Sequence, residues 1–171
     1  VNWLKLLAPM ALMYSWFAGD GTPVDFAQII ETVEEHYFKD GTVYVGSDSQ
    51  PHNGGCILSS AIVLHGAEGQ QGGHYFITRE KITSKGMTVL ATRILAETEK
   101  TIRIAHDIVH LFPDIKIELH VDVSNTDKKA ATSNLASMVV GYVTGNGFTC
   151  KIKPEAFAAA SVADKHSKGR P

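Results

Sequence analysis

Hydrophobic and polar positions change period along this chain, and the changes outline its elements. From Phe26 through Ile29, Ile30, Val33 and Tyr37 the apolar residues recur at helical spacing, which predicts an amphipathic helix over about 23–38, stopped at Gly41. Thr22-Pro23-Val24-Asp25 reads as its start, with a hydroxyl cap, proline in the first position and an acid in the first turn. Three β-branched, apolar stretches follow near 42–49, 55–64 and 74–81, separated by the turn-forming runs 51–55 and 65–73. Connections this short require antiparallel neighbours. A long helical period then covers 87–111, with Leu90, Ile94, Thr101, Ala105 and Ile108 on one face, and Phe112-Pro113 closes it. A strand at 115–123, a helix within 128–144, a strand at 147–153 and a last helix within 155–168 complete the pattern. The order βββ-α-β-α-β-α predicts an α/β fold whose mixed five-stranded sheet carries helices on its faces.

The first stretch fits none of these periods. Leu6 to Ala18 is almost wholly apolar, follows Lys5 and precedes Gly19-Asp20-Gly21. A secretory signal would look similar, but its basic region would be minimal here, Pro9 interrupts the run, and the span is short for a membrane helix. The expected division is a hydrophobic N-terminal arm over 1–21, packed on the domain or on a partner, and one domain over 22–171. With 171 residues the chain can bury a single substantial core. Its net charge of −2 argues against a nonspecific nucleic-acid coat but leaves room for a local basic patch. Cys56 and Cys150 are too few for a disulfide framework or a structural zinc site, so a reducing, cytoplasmic setting is expected, with no membrane partner.

Chemistry enters through acids placed where acids are costly. Asp48 ends the run Thr42-Val43-Tyr44-Val45-Gly46-Ser47, and Asp122 ends Ile115-Lys116-Ile117-Glu118-Leu119-His120-Val121. A buried carboxylate costs several kcal/mol unless it is paired or bound to a cation. If the two strands are parallel neighbours, the carboxylates lie side by side and repel, so one takes up a proton unless cations intervene. Asp164 adds a third acid on a small-residue segment. Hard oxygen ligands suit Mg²⁺ or Mn²⁺, and two such ions can drive phosphodiester hydrolysis. On the long helix Glu97 shares the stripe of Ile94 and Thr101, whereas Glu99 is rotated about 200° away. Glu97 is therefore the expected fourth acid.

Other motifs are weaker. His106 and His110 share a helix face at zincin spacing, but Asp107 stands where a glutamate base belongs and no third ligand suggests itself. Gly141, Gly145 and Gly147 follow a helix rather than a strand, so they read as helix termination and a turn. Lys151, Lys153, Lys165, His166, Lys168 and Arg170 gather positive charge near Asp164, as a solvated face or as a phosphate contact.

The order strand-Asp, helix-Glu, strand-Asp, helix-Asp resembles the ribonuclease H-like superfamily, and most closely a little-characterised group of predicted nucleases of bacteria and phages. The resemblance is carried by Gly46-Ser47-Asp48-Ser49-Gln50, Arg93-Ile94-Leu95-Ala96-Glu97-Thr98, His120-Val121-Asp122-Val123, Gly141-Tyr142-Val143-Thr144-Gly145-Asn146-Gly147-Phe148 and the segment from Lys153-Pro154 to Asp164-Lys165. It spans nearly everything from residue 24 onward and leaves the apolar start outside. It implies metal-dependent hydrolysis of nucleic acid, with Asp48, Glu97, Asp122 and Asp164 as ligands of two Mg²⁺ or Mn²⁺ ions. Asp48 would bridge both ions, with Asp122 and Asp164 holding one each and Glu97 supporting them. Ser49, Gln50 and His166 are candidates for orienting phosphate or water, and Lys153 and Lys165 for binding substrate. The rival reading is a nucleic-acid-binding or assembly module of the same fold with little or no turnover.

Overall fold

The computed structural model describes residues 9–125 and 133–168. Its centre is a meander of three strands, β3 (Thr42–His52), β4 (Gly55–His65) and β5 (His74–Ile82), each antiparallel to the next. Asn53 and Gly54, both with positive φ, close β3 onto β4 in a two-residue hairpin. β3 therefore runs further than its pattern suggests. Pro51 is tolerated in it because β6 pairs only with Val43–Gly46 and leaves the distal arm free on that side.

Helix α2 (Leu90–Leu111) then crosses one face of the sheet and returns the chain as β6 (Ile117–His120), parallel to β3. Helix α3 (Ala136–Gly145) leads to β7 (Thr149–Lys151), parallel to β6. The chain finishes with a π-helical stretch, Ala158–Ala163, running into α4 (Asp164–Ser167). This terminal segment packs on β3, β4 and β5.

The sheet has seven strands, in the order β2-β1-β5-β4-β3-β6-β7, rather than the expected five. The two extra strands are β1 (Trp16–Ala18) and β2 (Pro23–Val24), which add an edge beside β5. Three and two residues are too few for a period to show inside an apolar run. Their presence also corrects the expected helix start. Pro23 lies in the edge strand, and α1 (Phe26–Tyr37) is capped instead by Asp25, whose backbone N–H donates to Gln28 Oε1 at 2.9 Å. The described part of the apolar N-terminal stretch is built into the fold: Trp16 is buried against Phe26, and the Ala11 N–H donates to Asp107 Oδ2 at 2.7 Å.

Strand alternation divides the interior in two. Val43, Val45, Ile62, Leu64 and Phe76 face α1 and α2 with Ile94, Ala105 and Ile108 in the main core. Tyr44, Ala61, Val63 and Ile77 face the terminal segment around Ala158 and Ala163. Among the described residues, no helix is long and apolar enough to cross a membrane.

Gly55 fixes the β3–β4 hairpin against β5, because a Cβ there would lie 1.8 Å from the Ile82 carbonyl oxygen. Gly55→Ala should therefore lower stability by several kcal/mol in thermal melts. Gly73→Ala, whose Cβ would meet nothing nearer than 3.8 Å, should cost less than about 1 kcal/mol. Equal losses would contradict this packing.

Candidate active site

The alternation that splits the core also decides which way each acid points. In β3, Ser47 and Ser49 face α2, and Asp48 and Gln50 face the terminal segment. The parallel register sets Gly46 beside His120, so two residues further on Asp48 stands alongside Asp122, just beyond the end of β6. Both strands feed side chains to one face at this point, and the terminal segment brings Asp164 there.

Asp48 is 5% exposed. It accepts hydrogen bonds from the Ser167 hydroxyl and from Gln50 Nε2, the latter at 3.5 Å. Gln50 Nε2 also lies 3.4 Å from Asp164 Oδ1, so one amide spans two of the acids. Burial pushes the Asp48 carboxyl above its ordinary range despite the Ser167 hydrogen bond, and the charges of Asp164 and Asp122 push it further.

Glu97 lies on the other face of β3, under α2, within electrostatic range of Asp48 and Asp122. It is 5% exposed on the sheet-facing side of α2, whereas Glu99 is exposed and pairs with Arg103 at 2.7 Å. Ser49 donates to Glu97 Oε1 at 2.5 Å. Burial pushes the Glu97 carboxyl up to about 8; the Ser49 hydrogen bond opposes this, and the charges of Asp48 and Asp122 add to it. Ser49 thus gives its one hydroxyl proton to Glu97 and keeps its oxygen lone pairs.

The outer two acids meet lysines. Lys153 Nζ lies 2.7 Å from Asp122 Oδ1, and Lys168 Nζ lies 2.7 Å from Asp164. Asp122 Oδ1 is itself buried, and the Lys153 ammonium supplies its counter-charge. Among the described residues, no three acidic, histidine or cysteine side chains stand close enough to cage an ion as they are turned here. The donor set nevertheless suits a hard divalent cation: four carboxylates, two of them pushed toward protonation by burial and mutual repulsion, and one buried oxygen turned to an ammonium group.

The remaining sequence candidates separate. Lys151 pairs with Glu155 at 3.2 Å, and Arg170 lies outside the described residues. Lys165 is exposed, and His166 Nε2 lies 3.4 Å from the Tyr75 hydroxyl. Burial, then the charges of Lys165 and Arg79, lower the His166 pKa. His106 is 3.3 Å from Asn146 Oδ1 and packs on Phe148, which accounts for it without a metal.

Two contributors carry no visible sequence signal. Ser167, fixed on Asp48, could be suspected only from its place one helical turn after Asp164. His120 anchors the terminal segment: its Nδ1 accepts the Ala158 N–H at 3.0 Å, leaving Nε2 to donate to Glu118 Oε1 at 3.0 Å. Burial lowers the His120 pKa and so favours this neutral form.

Comparison with known proteins bears on the family to which this sequence is similar. The sequence model of a family described as ribonuclease H-like matches residues 25–168. An uncharacterized protein of Bacillus subtilis (strain 168), YkuK, is 28% identical over 165 residues, covering 84% of this chain and 91% of that protein.

The pH dependence of stability follows from Glu97. The folded protein keeps its proton to about pH 8, whereas the ordinary value for the group is 4.5. Between those values the folded state binds more protons than the unfolded chain, so stability is full at the acid end and falls as pH rises toward 8. The raised Asp48 pKa acts in the same direction. Thermal melts in the presence of a chelator should therefore show a melting temperature that drops between about pH 5 and about pH 8, and Glu97→Gln should flatten most of that slope. A wild-type melting temperature that rises over this range would contradict the site as drawn.

Proposed function

The chain belongs to the ribonuclease H-like family, and on that premise we propose that it is a nuclease that hydrolyses phosphodiester bonds with divalent cations held by Asp48, Glu97, Asp122 and Asp164. The observation that carries this reading is the placement of Asp48 and Asp122 side by side on parallel strands, with Asp164 joined to Asp48 through Gln50 and Glu97 sensing both strand acids. Carboxylates concentrated in this way repel one another and a polyanion alike, so the arrangement makes chemical sense as a cation-binding centre. Mg²⁺ or Mn²⁺ bound there would supply an activated water and stabilisation of the leaving oxygen.

The chain's own residues do the rest. Asp48 stands at the centre, and Ser167 and Gln50 fix its carboxylate. Ser49 holds Glu97 against the sheet. Lys153 neutralises Asp122 and is half-exposed, free to swing from the acid toward a substrate phosphate. The nucleic-acid partner and a cytoplasmic setting belong to the same proposal. The ion pairs Lys153–Asp122 and Lys168–Asp164 also favour a second reading, a nucleic-acid-binding module in which lysines stand where cations would act.

Labelled DNA, RNA, hybrid and branched substrates separate the two. A nuclease should cut at least one of them only when Mg²⁺ or Mn²⁺ is added. Asp48→Asn should reduce cutting by orders of magnitude while leaving the melting temperature in chelator unchanged or raised, because it removes a repelling buried charge. Binding without cutting under every metal would establish the module instead. A sharp fall in melting temperature for Asp48→Asn would mark that acid as structural.

Lys153 gives an independent check. If it competes with cations for Asp122, Lys153→Met should tighten Mn²⁺ binding severalfold in calorimetry, since the ammonium no longer has to be displaced. Unchanged or weakened binding would show that Lys153 does not compete with the cation for Asp122.

A further inference from the structure

Two rows of paired residues lead from the acids across the sheet. Asp48 pairs with Ser59 and Ser59 with Arg79; Gln50 pairs with Ile57 and Ile57 with Lys81. Directly paired residues share a sheet face, so Arg79 and Lys81 stand on the same face as Asp48, two strands and roughly 10 Å away at the backbone. The terminal segment lies over these strands and brings Lys165 and His166 alongside. His166 Nε2 is 3.4 Å from the Tyr75 hydroxyl, and both Arg79 and Lys165 lie within electrostatic range of the His166 ring.

The cations of this corner carry no ion pair among the described residues. Lys100 is committed to Glu80, Arg103 to Glu99, Lys151 to Glu155, Lys153 to Asp122 and Lys168 to Asp164. Among the described residues, no ion pair engages Arg79, Lys81 or Lys165, and all three are exposed. Glu80, the neighbour of Arg79 in sequence, points to the opposite face, where Lys100 takes it. Ser59, between Asp48 and Arg79, is fully buried with an unpartnered hydroxyl, so the row also holds a spare polar group.

We propose that Arg79 and Lys165 form a seat for a backbone phosphate of a nucleic-acid strand whose neighbouring phosphate lies at the acids. This rests on the nuclease reading above and adds to it the side from which the strand enters. The chain is slightly acidic and its centre is a carboxylate cluster, so a polyanion needs unpaired positive charge close by to approach. A guanidinium fork and a mobile ammonium group on one face suit phosphate oxygens.

The test measures binding of fluorescein-labelled single-stranded DNA and RNA to the Asp48→Asn protein in Mg²⁺, by anisotropy over a range of salt. Adding Arg79→Ala should weaken binding about tenfold and reduce the salt slope by about one. Lys165→Ala should act in the same direction. Arg79→Lys should restore most of the slope, and Lys116→Ala, at the far end of β6, should change neither quantity. In the cutting assay Arg79→Ala should raise KM and leave kcat nearly unchanged. If binding is retained and Arg79→Ala and Lys165→Ala behave like Lys116→Ala, the seat is wrong while the nuclease reading stands. If the Asp48→Asn protein and the wild type bind neither strand, nor a hybrid or branched substrate, the nuclease reading falls and the seat with it. Melting temperatures within about 2 °C of the parent are expected for these exposed changes, so lost binding cannot be ascribed to unfolding.

Discussion

Repulsion among carboxylates that the fold places together is the constraint on which the rest of this structure depends. The parallel pairing of β3 with β6 sets Asp48 beside Asp122, and the terminal segment adds Asp164 on the same face. Glu97 comes from the other face, under α2. Burial alone would make each charge costly, and proximity adds to the cost. Nearly every polar contact around the centre can be understood as a response: hydroxyls of Ser49 and Ser167 donate to the two buried acids, and lysines sit on the two less buried ones.

The scaffold holds this cluster through contacts on both sides of one strand. On the α2 side, Ser47 shares hydrogen bonds with Ser60 and Thr101, each at 2.8 Å, and so ties the helix that carries Glu97 to the middle of the sheet. On the other side, His120 receives the Ala158 N–H and packs between Tyr44 and Phe157, which fixes the start of the segment that carries Asp164. Both anchors lie within two positions of a site acid in sequence or register. Substitutions in either would be expected to disturb the acids before they disturb the core.

Much of this was legible in the chain because strong periods report strong burial. The meander, the long helix and the phase that puts Glu97 inward and Glu99 outward all follow from apolar spacing. Asp48 and Asp122 stood out because each closes an apolar stretch of sequence, where a buried acid is costly. The edge strands β1 and β2 did not show, since a Trp-Phe-Ala run and a Pro-Val pair carry no period. The helix cap moved from Thr22 to Asp25 because that edge strand claims Pro23. Pairings between distant segments, such as Ser167 with Asp48 or Arg79 in a row with Asp48, depend on register, which no local pattern encodes.

The central claim is that the four acids form one cation-binding centre, and calorimetric titration of Mn²⁺ in buffers of different ionisation enthalpy tests it most directly. At neutral pH, below the raised value near 8 for Glu97, binding should release protons as the carboxyls ionise around the metal. Asp48→Asn should abolish or greatly weaken both the binding and the release. Absence of Mn²⁺ binding, or binding that Asp48→Asn leaves unaltered, would contradict the account.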